Sequence, residues 1–176
     1  MVILYNVNRY LTKPLEVLIM YEKILVAIDT SAMGDRVFDI ALKLAKISNP
    51  SLMLVHILSE EAEESPINYW PMIGTDIGTN PEMMKEYHQL WEKFEKQCLQ
   101  MLKSKADKAK ELGFNTEFTQ IRGNPGREIC KLAQKCNADL IVMGRRGHSV
   151  FSELLLGSVS NYVIHRAHCS VHIVQD

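Results

Sequence analysis

The chain predicts an α/β domain built on a mainly parallel five-stranded sheet, and three observations lead there. Short, nearly continuous apolar runs at 23–28 (KILVAI), 52–57 (LMLVHI) and 139–143 (DLIVM) read as strands buried on both faces. Segments with apolar residues every three or four positions separate them, so strands and helices alternate from end to end. The first strand, first helix and second strand fit within about 35 residues, the size of a right-handed βαβ unit.

Length and composition bound the rest. A chain of 176 residues predicts one domain. With 47% hydrophobic and 23% charged residues, it falls outside the disordered, collagen-like and membrane-spanning classes. Its 20 Lys+Arg nearly balance 21 Asp+Glu, which argues against a nucleic-acid coat, since that needs a basic surface. The four cysteines, Cys98, Cys130, Cys136 and Cys169, form no CxxC pair. They read as thiols packed in a protein of the reducing cytoplasm, not as a disulfide framework or zinc knuckle.

Taken in order, residues 1–19 are expected to be an extension, or a misassigned start, that carries no chemistry. Asn6, Asn8, Arg9, Lys13 and Glu16 interrupt its apolar stretches too often for a bilayer span or a secretory signal. The domain is expected over 20–176. After the first strand come Asp29, Thr30 and Ser31, and either of the last two can cap a helix. That helix turns Val37, Ile40, Ala41, Leu44 and Ala45 inward, and Asn49-Pro50 stops it. The stretch 59–81 is acidic, then rich in Pro and Gly, an uncommonly long connection. Its Tyr69 and Trp70 either close over a bound base or pack beneath the helix that follows.

That helix spans about Glu82 to Leu112, with Met83, Tyr87, Leu90, Trp91, Phe94, Cys98, Met101 and Leu102 along one stripe. At roughly 45 Å it is longer than a small sheet needs, so it is expected to bend or to project one end. Gly113 ends it. A third strand at 115–121 alternates and reads as less buried. A turn at 123–126 leads into a helix with Ile129, Cys130, Leu132 and Ala133 inward. A last helix at about 158–166 and a last strand at 170–174 complete the pattern.

The chemistry concentrates in 144–160 (GRRGHSVFSELLLGSVS), which joins the 139–143 strand to that last helix. In an open parallel sheet, ligands bind beyond the carboxyl ends of strands near a topological switch point. Gly144, Gly147 and Gly157 let backbone N–H groups approach an anion, and a helix N-terminus adds unpaired donors. Ser158 and Ser160 offer hydroxyls there, and Arg145 and Arg146 offer positive charge. Together these predict a phosphate site. Each part alone has a plainer reading, as a tight turn, a solvated arginine or a helix cap. The loop is neither a Walker A motif nor GxGxxG.

Histidines add little. His165, His168, Cys169 and His172 straddle a helix end, a turn and a strand, so they are not assigned as metal ligands. His172 should face the opposite side from Val171 and Ile173. His56, inside an apolar strand, reads as a hydrogen-bonded core residue. His148 lies in the phosphate loop and is the one histidine with a ligand role.

The spacing Gly144, two residues, Gly147, nine residues, Gly157-Ser158 resembles the ATP-binding signature of the universal stress protein family. KILVAIDTS, VHI at 55–57, DLIVMG at 139–144 and LLLGSVS at 154–160 resemble that family in order, so the likeness covers about 21–175. It implies a Rossmann-like sheet of strand order 3-2-1-4-5 and a homodimer along the last strand, which would also cover an open sheet edge. It further implies that Ala27 and Asp29 lie beside adenine and ribose, and that Ile57 contacts adenine. Gly144, Arg145, Arg146, Gly147, His148, Ser149 and Val150 would wrap the ribose and phosphates, and Gly157, Ser158, Val159 and Ser160 the triphosphate tail. Some ATP-binding members carry Pro where Ala27 stands. The expected ligand is ATP or another adenine nucleotide, with Mg²⁺ bridging the phosphates.

The function expected is that of a cytoplasmic, nucleotide-dependent stress-response regulator acting on protein partners, with no nucleic acid or membrane involved. A slow ATPase or nucleotidyl transferase is the first alternative, although only Asp29 and His148 could serve as a base, and no catalytic residue is assigned. A ligand-free dimeric interaction module is the second.

Overall fold

The computed structural model describes residues 21–60, 65–66, 81–145 and 157–175. Nine elements alternate along these residues: β1 (Lys23–Ala27), α1 (Ala32–Ser48), β2 (Ser51–Leu58), α2 (Pro81–Glu111), β3 (Thr116–Arg122), α3 (Pro125–Lys135), β4 (Leu140–Gly144), α4 (Ser158–Arg166) and β5 (Ser170–Val174). The strands form one sheet of order β3-β2-β1-β4-β5, and every neighbouring pair is parallel. The expected class, strand count and order are all present.

Strand alternation feeds two cores. Ile24 and Val26 of β1, Leu52 and Leu54 of β2, and Leu140 and Val142 of β4 turn toward α1 and α2. Leu25, Val55, Ile141 and Met143 turn toward α3 and α4. Both faces are apolar because both are covered, which is why the three strands read as unbroken hydrophobic runs. The edge strands differ: β3 is mostly half-exposed, and β5 has Ser170 and His172 exposed while Val171 and Ile173 pack on the α3–α4 side.

The helices begin and end where their sequences direct. Of the two candidate caps, Ser31 serves α1: its side chain accepts from the Gly34 N–H, and Asn49 closes the helix in the left-handed region. Asn124 caps α3 by accepting from the Arg127 N–H, with Pro125 in the first turn. Gly113, at φ 90°, ends α2.

The long helix projects one end, one of the two outcomes expected from its length. The stripe drawn from Met83 to Leu102 is buried only from Phe94 onward, through Cys98, Leu102, Ala106 and Ala109. Leu90 is 40% exposed. The amino-terminal part of α2 therefore runs past the sheet, and only the carboxyl-terminal part packs on β2 and β3. Two small residues, Ala106 and Ala109, are fully buried there. Tyr87, Trp91 and Phe94 stack edge to face in succession, with Phe94 and Trp91 closing a small separate cluster against Leu58 and Cys98.

Candidate functional site

The sheet order places the topological switch between β1 and β4. The chain leaves β1 through α1 on one face, and it reaches β4 from α3 on the other. Their carboxyl ends, Ala27 and Gly144, therefore stand where the connections diverge, the position at which sheets of this kind generally bind ligands.

Asp29 lies two residues past β1 and is half-buried. Its Oδ1 accepts from the Ser31 N–H at 3.1 Å and from the Ser31 hydroxyl. Ala27 and Ile57 both pack on the α3–α4 side at the ends of β1 and β2. In register, Ala27 pairs with Val55, so Ile57 reaches two residues beyond it at the carboxyl edge.

At the end of β4, the Arg145 N–H donates to Val174 O at 2.9 Å, which continues the ladder to β5. The Gly157 N–H then donates to Arg145 O at 3.1 Å. This one bond draws the start of α4 to the end of β4. Gly157 is the N-cap of α4 and supplies no side-chain bond, so the helix opens on backbone donors.

The two serines of that turn part company. Ser158 is exposed at the first position of α4. Ser160 is 1% exposed, and its hydroxyl donates to Arg145 O at 2.8 Å and Gly157 O at 3.0 Å. Ser160 thus clasps the turn from within, where a hydroxyl facing the ligand was expected. Val159 is half-buried against the α3–α4 core. Arg146, Gly147, His148, Ser149 and Val150 lie outside the described residues, as do Tyr69 and Trp70.

His56 is 5% exposed, on the α1–α2 side of β2. Its Nδ1 stands 3.5 Å from the Gln120 amide nitrogen, which also donates to Glu95 O at 3.3 Å. Burial holds the imidazole below the usual histidine range, and the Asp29 carboxylate partly offsets this. The four cysteines are free thiols; burial pushes Cys130 and Cys169 up, which keeps them protonated. Among the described residues, no group of three or more His, Cys, Asp or Glu side chains could hold a metal ion, and no helix is long and apolar enough to cross a membrane.

A model of the universal stress protein family matches residues 20–175. The chain belongs to that family. Among relatives, it is 35% identical over 155 residues to the universal stress protein Sll1388 of Synechocystis, covering 88% of this chain and 98% of that one. Among solved structures, MJ0577 of Methanocaldococcus jannaschii superposes with a TM-score of 0.69 at 23% identity, covering 89% and 97% of the two chains. A universal stress protein solved in complex with cAMP superposes at 0.56 with 25% identity, covering 88% and 97%.

Three features of this universal stress protein domain were not read from its sequence. Ser31 holds Asp29 as well as capping α1. Gly34 sits so close to Asp29 that an added Cβ would lie 2.2 Å from the Asp29 carbonyl oxygen. Gly126, at the start of α3, leaves room for the Tyr162 ring of α4; a Cβ there would come within 2.8 Å of it. A Gly in the first turn of a helix was the available signal for both, but sequence alone does not name what stands opposite.

Proposed function

We propose that this chain binds an adenine nucleotide, ATP first, at the carboxyl ends of β1 and β4, and that occupancy alters its contacts with protein partners. The observation that carries this is the opening of α4: its N-cap, Gly157, supplies no side-chain bond to the backbone donors of the first turn at Ser158 and Val159, while the Gly157 N–H itself ties the turn to the end of β4 through Arg145 O. An uncapped helix start favours an anion through both its N–H groups and its dipole. The glycine-serine spacing from Gly144 to Ser158, and the cAMP complex of a protein of the same fold, support the choice of an adenine nucleotide.

In this reading, Ala27 and Ile57 offer an apolar wall to the base, and Asp29 accepts a ribose hydroxyl. The segment 144–150 and the Gly157–Ser158 start of α4 take the phosphates. Ser160 acts indirectly by holding that turn. Among the described residues, Asp29 is the carboxylate just past the end of β1, and Ser31 occupies one of its oxygens. Such a site suits Mg²⁺ carried chiefly by phosphate oxygens and water. The exposed edge of β5 is proposed to pair with a second copy, which would remove an unpaired strand edge.

Titration calorimetry with ATP and Mg²⁺ tests the reading. Binding that weakens in Gly144→Val is expected; no heat at millimolar ATP refutes it. Sedimentation of the purified chain tests the dimer, and a monomer at micromolar concentration rejects it.

A further inference from the structure

We infer that Ser31 is a positioning residue that makes the nucleotide site selective for the ribose hydroxyls, acting through Asp29. The inference rests on the proposed nucleotide reading and assigns a role within it that the helix cap alone does not require. A cap needs only an oxygen that accepts from the first turn, and Ser31 Oγ does this toward the Gly34 N–H at 3.2 Å. The same hydroxyl has one proton left, and it points that proton at Asp29 Oδ1. The Ser31 N–H converges on the same oxygen at 3.1 Å.

The consequences follow from counting donors and acceptors. An ionised carboxylate only accepts, through two oxygens. Two donors from Ser31 fix the orientation of the group and occupy Oδ1. Among the described residues Oδ2 has no partner, so it is the oxygen left for a hydroxyl of the ligand. Gly34 enforces the arrangement from the other side. An added Cβ would lie 2.2 Å from Asp29 O and 2.6 Å from Oδ1, so only glycine lets the first turn of α1 stand this close. The turn and the carboxylate are thus packed as one unit, and Ser31 is buried within it.

A hydrogen bond to a held carboxylate discriminates more than one to a free rotor, because no orientation has to be fixed on binding. The full chain is therefore expected to bind ATP at least about tenfold more tightly than dideoxy-ATP, which lacks both ribose hydroxyls. Asp29→Asn should abolish most of that ratio. Ser31→Ala should also lower it, to about threefold or less. Ser31→Gly separates the two roles: glycine is itself an accepted N-cap, so the thermal midpoint stays closer to wild type than in Ser31→Ala, but it has no hydroxyl to donate and should lose the ratio as well. Ser31→Thr keeps the hydroxyl and should keep the preference.

Calorimetry of the five proteins with both nucleotides reads these ratios. If Ser31→Ala and Ser31→Gly weaken both nucleotides equally and keep the wild-type ratio while Asp29→Asn loses it, Ser31 is only a cap; the inference is overturned and the nucleotide reading stands. An unchanged ratio in Asp29→Asn overturns it too, since Asp29 is then not the acceptor. If the wild-type chain binds neither nucleotide, the proposed function itself fails and takes this inference with it.

Discussion

Replacing Ser160 with alanine removes one hydroxyl from the turn that joins β4 to α4, and the structure sets the size of the effect. The group is buried at 1% exposure and donates to two carbonyls, Arg145 O at 2.8 Å and Gly157 O at 3.0 Å. Deleting a buried donor is costly when it strands its acceptors, up to about 3 kcal/mol. Here neither is stranded. Arg145 O keeps the Gly157 N–H at 3.1 Å, and Gly157 O keeps the Asn161 N–H at 2.9 Å. The loss should therefore be that of one ordinary hydrogen bond, about 1 kcal/mol. For a domain of this size, that lowers the thermal midpoint by roughly 2 to 4 °C. Urea denaturation at constant m-value measures it directly. A change below about 0.3 kcal/mol would mean that the clasp contributes nothing, and one above about 3 kcal/mol would mean that the carbonyls were stranded after all. Either result refutes the reasoning.

Further outcomes are expected. Ser158→Ala, at an exposed position, should change stability by less than about 0.5 kcal/mol yet weaken ATP binding roughly three- to tenfold in calorimetry, the reverse of the Ser160 pattern. Gly126→Ala forces a Cβ against the Tyr162 ring and should cost about 1 to 3 kcal/mol in urea, with part of the loss recovered on adding Tyr162→Leu. His56 is held neutral by burial, so its folded pKa lies below the ordinary 6.5. The unfolded chain then binds the proton first, and stability should fall as pH drops through and below that value. Urea midpoints between about pH 7.5 and about pH 5 should show a shallower decline in His56→Gln than in wild type.

Much of the fold was legible because each strand in the middle of the sheet is covered on both faces. Ile24, Leu25 and Val26 are all fully buried, and a segment with that fate leaves an uninterrupted apolar run. The edge strand β3 is half-exposed and so reads as an alternation. Helix α2 was legible in its period and in its excess length, but not in which end projects. Periodicity identifies the face that can be buried, while the length of sheet opposite decides how much of it is, and the sheet reaches only from Phe94 onward.

At the candidate site the same division holds. The glycine-serine spacing after a buried strand located the turn at Gly144 and the start of α4, and Asp29 was marked by following β1 directly. Ser158 and Ser160, two residues apart, looked alike as sequence. On a helix two positions are about 200° apart, so one faces out and the other faces the chain, and only the packing of α4 on the sheet says which is which.

By itself, then, the sequence determined the alternation of strands and helices and the family to which the chain belongs, because hydrophobic period and glycine spacing are properties of order along the chain. The tertiary structure alone decided that Ser160 clasps the turn, that Ser31 holds Asp29, and that Gly34 and Gly126 are sites of close contact. Those roles depend on which atoms meet across a gap of a few ångströms: Ser31 and Gly34 meet Asp29 through the particular path the chain takes from β1 into α1, while Ser160 meets Arg145, and Gly126 meets Tyr162, from separate elements whose approach no spacing records.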